Sequence, residues 1–248
     1  MTPVRRSLRL LVPTLLLLAA PGARAWDPAT RLQIVDEAIR FMPPSLRLAL
    51  EHHRDAVRRG ALEPMTSEDT PAHAPRPAGG TLDATTARAA GELVASVKEP
   101  ASFDAIASRF GALAHYVSDA AFPPGAAPDA GIRYAHFSKF AASRMAKFPL
   151  VFLGHEDPDL DRGDVAAFSR RIAAEAAADD ANLVRAYAAA GDPPDPAAFD
   201  DRSVPFAIAS LAYSRSVNYV VRSWLQSWRE AGGDLGATPY MNPKPGGR

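Results

Sequence analysis

His115 and Asp119 stand four residues apart in the run FGALAHYVSDAAFPPGAA that starts at Phe110. On a helix this spacing stacks two side chains on one face, with Cβ atoms about 5–6 Å apart. An imidazole and a carboxylate so placed can hold one metal ion from the same side, or they can hydrogen-bond to each other. A second set of candidates lies in residues 61–81, ALEPMTSEDTPAHAPRPAGGT, where Glu63, Glu68, Asp69 and His73 fall among four prolines and two glycines. Such a segment reads as a long loop, and loops of this length in compact domains are often functional. An ordinary solvated acidic loop has the same composition. A third set is GHEDPDLDRGD, from Gly154 to Asp164. Its alternating Asp157, Asp159 and Asp161 resemble a calcium loop, but Gly163 comes one place late and Phe168 occupies the position of the bidentate glutamate. Acids around a helix N-terminus account for the same residues. His52 and His53 are adjacent, point in different directions and read as surface.

The elements that position these residues are helical. Asp27-Pro28 is a cap followed by proline at the first helical position, and Leu32, Val35, Ala38, Ile39 and Met42 form one apolar face up to Pro43-Pro44. Ser45 opens a second helix that Gly60 is expected to close. A third spans about 83–98 and the central one about 102–121, carrying His115 and Asp119. Further helices are expected over about 135–147, 164–190 and 204–230; the last has an apolar stripe from Ile208 to Leu225. No stretch alternates as a strand does, and there is no repeat, no phosphate-binding glycine loop and no Ser-His-Asp pattern. The reading is an all-α, single multi-helix domain of about seven helices, with residues 233–248 as a frayed tail.

Composition restricts the chemistry. The 248 residues contain no cysteine, so a metal site must use His, Asp, Glu, backbone groups or a chain terminus. Arg5, Arg6 and Arg9, the apolar run from Leu10 to Ala20 and the small-x-small triplet Ala23-Arg24-Ala25 read as a secretory signal peptide, residues 1–25, cleaved after Ala25. The run is short for a transmembrane anchor. That segment holds four of the 28 basic residues and no acid. The remaining chain then has 24 basic and 28 acidic residues, net −4, which excludes polyanion binding by bulk charge. A secreted or periplasmic protein beginning at Trp26 is expected. A free α-amine and carbonyl at Trp26 could chelate a metal; a terminal Trp also serves simply as a core anchor.

Taken together, these motifs resemble the superfamily of zinc-dependent phospholipases C and single-strand-specific nucleases, over nearly the whole chain from Trp26. RLQIVDEAIRFMPPSL resembles the first family helix and its break, AHYVSDAAFPPGAA the HYLGD-x-x-QPMHAA segment, YAHFSKF the HSKYE motif, and AYSRSVNYVVRSWLQSW the terminal helix. The resemblance implies an all-α secreted phosphodiesterase with a trinuclear zinc cluster. Carried over residue by residue, it implies metal ligation by Trp26, His73, His115, Asp119 and His136. Three positions depart from the pattern: Arg31, Gly125 and Phe140 stand where the family has His, His and a carboxylate. The loop aspartate that the family uses as ligand and proposed base falls nearest Met65, with Glu63 or Asp69 as the neighbouring acids. A zinc site with fewer than three ions, or none, is therefore expected. The fullest remaining set is His73, His115 and Asp119, and Arg31 either repels a cation or pairs with Asp119 in its place. Two functions follow: a phospholipase C-like phosphodiester hydrolase with a single zinc, acting on a phospholipid or nucleic acid, or a non-catalytic module of the same fold.

Overall fold

The computed structural model describes residues 25–67, 69–126, 131–191 and 198–241. Residues 1–24 of the expected signal peptide (residues 1–25), Glu68 and residues 242–248 of the expected tail lie outside the described residues. Among the described residues there are nine α-helices and no strand: α1 Pro28–Ile39, α2 Pro44–His52, α3 Arg54–Leu62, α4 Leu82–Lys98, α5 Phe103–Ala120, α6 Gly131–Arg144, α7 Pro158–Asp161, α8 Val165–Ala190 and α9 Val204–Glu230. Local chemistry sets their starts. The Asp27 side chain accepts from the Ala29 N–H at 2.9 Å ahead of Pro28. Ser102 caps α5, Asp164 caps α8 and Ser203 caps α9 in the same manner. Each cap satisfies an N–H that the first helical turn leaves without a partner.

Helix α5 is the axis of the fold. It packs against α3, α4 and α9, with α1 and α8 also reaching it. Phe110, Leu113, Val117 and Phe122 are fully buried, as is Trp224 of α9. The Trp224 indole N–H donates to the Phe110 carbonyl at 2.8 Å, so the largest side chain of α9 adds a fixed register to its apolar burial.

Gly60 does not end a helix. It lies inside α3, where a Cβ would meet the Ser108 carbonyl oxygen at 1.9 Å, and a Cβ at Gly111 would meet the Val57 carbonyl oxygen at 2.0 Å. Two glycines facing each other let the α3 and α5 backbones touch. The helix expected over 45–60 is instead broken at His53, whose Nδ1 lies 2.6 Å from Asp104 Oδ1. The proline-rich segment 63–81 is not devoid of structure either: it forms three short 3-10 turns, Glu63–Thr66, Thr70–His73 and Arg76–Ala78, each with a proline in its first two positions. Proline lacks an N–H that such a position would leave unused. The loop is closed onto α4 by Thr81 N–H to Pro71 O at 2.8 Å and Leu82 N–H to Ala74 O at 3.0 Å.

Two connections run along α9. Residues 150–154 are held by Ser214, Asn218 and Arg222, one helical turn apart: the Leu153 N–H donates to Asn218 Oδ1, and Arg222 donates to the carbonyls of Leu153 and Gly154. The acids of the calcium-like loop are engaged by cations. Asp157 caps α7, and Arg171 donates to Asp159 at 2.8 Å and to Asp157 at 2.5 Å. Residues 233–241, expected to fray, turn back: the Trp228 indole donates to Asp234 O at 3.0 Å and His155 Nε2 donates to Pro239 O at 2.7 Å.

Candidate metal centre

Three elements converge beneath the 3-10 loop. Helix α5 presents His115 and Asp119 on one face, the turn Thr70–His73 lowers His73 onto them, and α1 brings Arg31 from the other side. His73 Nδ1 lies 2.8 Å from Asp119 Oδ2 and 3.1 Å from His115 Nε2, which is itself 3.2 Å from Asp119 Oδ2. His115 and Asp119 are buried, and the His73 side chain is 18% exposed. His73 is therefore the open side of the cluster. The Tyr116 ring, half-buried, packs beside both imidazoles, with centroids 5.5 and 5.3 Å away.

Arg31 fills the inner side. Its guanidinium is ion-paired with Asp119 Oδ1 and donates to Trp26 O at 3.2 Å, His115 O at 3.3 Å and Ser118 Oγ at 3.0 Å. The side chain is 2% exposed. Its planar fork suits several acceptors at once. Burial opposes ionisation of Asp119, but the Arg31 charge and the two imidazoles outweigh it and hold the carboxyl well below its ordinary value. Burial, aided by Arg31, pushes the His115 imidazole below its ordinary value despite Asp119. Burial pushes the Tyr134 phenol far up, with Asp119 acting in the same direction.

The proton inventory shows whether the donor set fits a metal. His115 Nδ1 lies 2.8 Å from the Ala61 carbonyl, which can only accept, so Nδ1 carries the proton and the Nε2 of the neutral ring is bare. Ionised Asp119 Oδ2 is also bare. Two lone-pair atoms 3.2 Å apart repel unless a proton or a cation lies close to both, and His73 Nδ1 is the group beside them. In tetrahedral zinc sites with bonds of about 2.0–2.1 Å, ligand atoms stand about 3.3 Å apart. The observed 2.8, 3.1 and 3.2 Å need only a small opening, and His73 is the member with an exposed side. The residues fit one zinc ion, with Nδ1, Nε2 and Oδ2 as its ligands.

The other residues implied by the resemblance lie elsewhere. Trp26 is fully buried, its indole N–H donating to Ser118 O at 3.1 Å and its carbonyl accepting from Arg31. Trp26 thus meets the centre through Arg31. His136 is apart from it: Nδ1 bonds the Tyr187 hydroxyl at 2.7 Å, and the ring contacts Phe199. Phe140, which replaces the carboxylate expected after His136, packs on the same Phe199. Glu63 and Asp69 are exposed, and neither joins the His73, His115 and Asp119 group. A Cβ at Gly125 would meet Asp119 O at 3.7 Å, ordinary contact, so the position borders the centre without contributing a side chain. Sequence reasoning missed the Ala61 carbonyl and Ser118. A carbonyl has no sequence signature, whereas Ser118, three residues from His115 and one from Asp119, was open to a helical-wheel reading.

No family model and no curated protein matches the chain. Among solved structures, the chain is similar to Clostridium perfringens alpha-toxin isolated from avian strain SWCP. The TM-score is 0.61 at 13% sequence identity, covering 87% of this chain and 66% of that chain. The chain thus spans just under two thirds of the alpha-toxin structure. At this identity the likeness is one of fold, and that fold is all-α and phospholipase C-like. Among the described residues no helix is long and apolar enough to cross a membrane.

Proposed function

We propose that the protein is a secreted phosphodiester hydrolase that holds one zinc ion through His73, His115 and Asp119. The observation that supports this most directly is the convergence of three ligand atoms 2.8, 3.1 and 3.2 Å from one another. When bound, zinc supplies a Lewis acid for a phosphoryl oxygen and an acidified water. The chain's own residues do the positioning. The Ala61 carbonyl fixes the His115 tautomer and aims Nε2 at the centre, the outer-shell role that commonly orients a metal-binding imidazole. Arg31 occupies Asp119 Oδ1 and leaves Oδ2 facing the imidazoles. Its charge stands where the resemblance would put a second cation, so the buried carboxylate is neutralised from both sides. Tyr116 and the loop carrying His73 form the solvent side, the side from which a phosphodiester would approach. Phospholipid and nucleic acid both present the required group.

A second reading, a non-catalytic module of the same fold, is favoured by one specific observation. Arg31 already satisfies Asp119, Trp26 O and Ser118 Oγ together, so the buried carboxylate does not depend on a metal for its charge balance. The deciding experiment is zinc per chain after mild dialysis, for the wild type and for H73A, with His73 chosen because its exposure makes loss of folding the smaller concern. About one zinc in the wild type, absent in H73A, together with chelator-sensitive cleavage of a phosphodiester panel (phosphatidylcholine vesicles, single-stranded DNA, bis-p-nitrophenyl phosphate), supports the hydrolase. Zinc without cleavage, or no zinc in a folded wild type, supports the module. Two or three zincs would overturn the single-ion assignment.

A further inference from the structure

A second candidate site lies behind the His73 loop, independent of the metal. A cavity of about 230 Å³, open on one side, is lined by Pro75 and Pro77 of the loop, Leu82 at the start of α4, and Ser169, Ala173, Ala174 and Ala177 on α8, with Ser169 turned to Thr86. These walls are apolar. Three charged residues stand at the same cavity: Arg76, Asp83 and Arg170. Asp83 is 3% exposed. Its Oδ2 accepts from Arg76 Nε at 2.7 Å and from Arg170 Nη1 at 3.0 Å. Its Oδ1 is buried and makes no hydrogen bond among the described residues. Burial pushes the Asp83 carboxyl up, but Arg170, Arg76 and the neighbouring Ala84 N–H outweigh it and hold the group below its ordinary value, so it stays charged between the two guanidiniums.

The arrangement has a chemical direction. One carboxylate holds two guanidiniums, so the group has a net positive charge. Each guanidinium has five N–H donors, and the hydrogen bonds described use one of each. Their side chains are 65% and 46% exposed, so the remaining donors are free to meet a ligand at the mouth. An anionic head on the free guanidinium N–H groups at the mouth would balance the charge of the group, and an apolar limb would fill the space between the prolines and the alanines. The volume is small beside typical ligand pockets of about 300–1,000 Å³, which restricts the limb to a short chain.

We propose that this cavity binds a small amphiphilic anion: an acidic oxygen head, such as a phosphate monoester, on a short apolar chain. The loop that forms one wall also carries His73, two residues before Pro75, and is closed onto α4 at the cavity rim by the Leu82 N–H bond to Ala74 O.

The test uses octyl phosphate below its micelle concentration, titrated calorimetrically into the whole protein in the presence of EDTA. Octanol and inorganic phosphate separate the tail from the head. One site is expected for octyl phosphate, with octanol and phosphate each at least about tenfold weaker, since a charge-assisted hydrogen bond is worth that much or more. A177F, a change on the exposed edge of α8 that fills the cavity, should abolish binding while leaving the unfolding temperature near wild type. R170A should weaken octyl phosphate at least about tenfold and leave octanol unchanged. H73A should bind as the wild type does, which keeps this result separate from the zinc assignment. If binding is absent, survives A177F, is lost in H73A, or is matched by octanol, the proposal is overturned. Anionic vesicles that compete with octyl phosphate would identify a membrane lipid as the source; vesicles that do not compete would identify a free amphiphile.

Discussion

Replacing Arg31 by Met tests whether a fixed guanidinium serves as a cation of this centre. The substitution keeps most of the apolar stem and removes the charge. It leaves Asp119, with a side chain 2% exposed, facing two imidazoles of which one is committed to Ala61 O. Removing one partner of a buried ion pair costs about 3–5 kcal/mol. The other lost bonds add little to this, because Ser118 Oγ still donates to His115 O at 2.9 Å. In a domain of this size each kcal/mol moves the unfolding temperature by about 2–4 °C, so R31M should unfold about 6–20 °C below wild type in EDTA. The acid response should change as well. The depressed Asp119 carboxyl stabilises the fold fully above the unfolded value near 3.9 and loses that contribution as pH falls through the folded one. R31M, with a less depressed carboxyl, should show a weaker acid transition. Zinc should then raise the unfolding temperature of R31M more than that of wild type, because only in R31M does the ion replace missing charge. Calorimetry with and without zinc reads all of this. An R31M protein within about 1 kcal/mol of wild type in EDTA would refute the claim that Asp119 depends on this guanidinium.

G111A should destabilise the fold by about 1–3 kcal/mol or more, since its Cβ would lie 2.6 Å from Ala61 N as well as against Val57 O. By moving Ala61 away from His115 it should also weaken zinc binding about 10–100-fold in an equilibrium competition assay. Burial holds the His155 imidazole below its ordinary value, helped by Arg222 and Arg229 and opposed by Pro239 O; Nδ1 is buried and makes no hydrogen bond among the described residues. Because the folded state disfavours the proton, stability should be full above about pH 6.5 and fall as pH drops through that value. His115 and His136 act with the same sign, so the check is a smaller loss in H155Q than in wild type between pH 7.5 and 5. R171A should cost on the order of 2–3 kcal/mol, below the fully buried range because the guanidinium is one-third exposed. Millimolar calcium should not raise the unfolding temperature of the wild type, since Asp157 and Asp159 serve Arg171.

The helices were legible where local chemistry and apolar period agree. Asp27-Pro28, Ser102, Asp164 and Ser203 mark four starts, and the stripe of α9 gave its whole span. The α3–α5 crossing was not legible, because a glycine that permits backbone contact and a glycine that ends a helix look alike until the partner helix is known. The strap of residues 150–154 was hidden for the same reason: Ser214, Asn218 and Arg222 read as a polar face, and only the tertiary fold shows what they hold. In the centre, His115 and Asp119 were visible from their spacing. His73 stood out only as one polar residue of the 61–81 loop, and the family resemblance alone joined it to His115 and Asp119, since a loop has no period to fix its direction. His136 came from the same resemblance, and the structure seats it against Tyr187.

The position of Arg31 shows how far substitution reasoning extends. A cation brought in by a side chain differs from a bound ion in being permanent, covalently anchored and unable to exchange ligands. It therefore neutralises Asp119 and ties Trp26 to α5 without offering an open coordination position. The opposite carboxylate oxygen faces two imidazoles, one of them partly exposed. The ion pair on the core side and the group able to take an ion on the solvent side thus meet at the two oxygens of Asp119. The R31M experiment separates them: if the core-side charge is structural and the solvent-side ligands are functional, loss of the guanidinium should lower stability in EDTA while raising the affinity of His73, His115 and Asp119 for zinc.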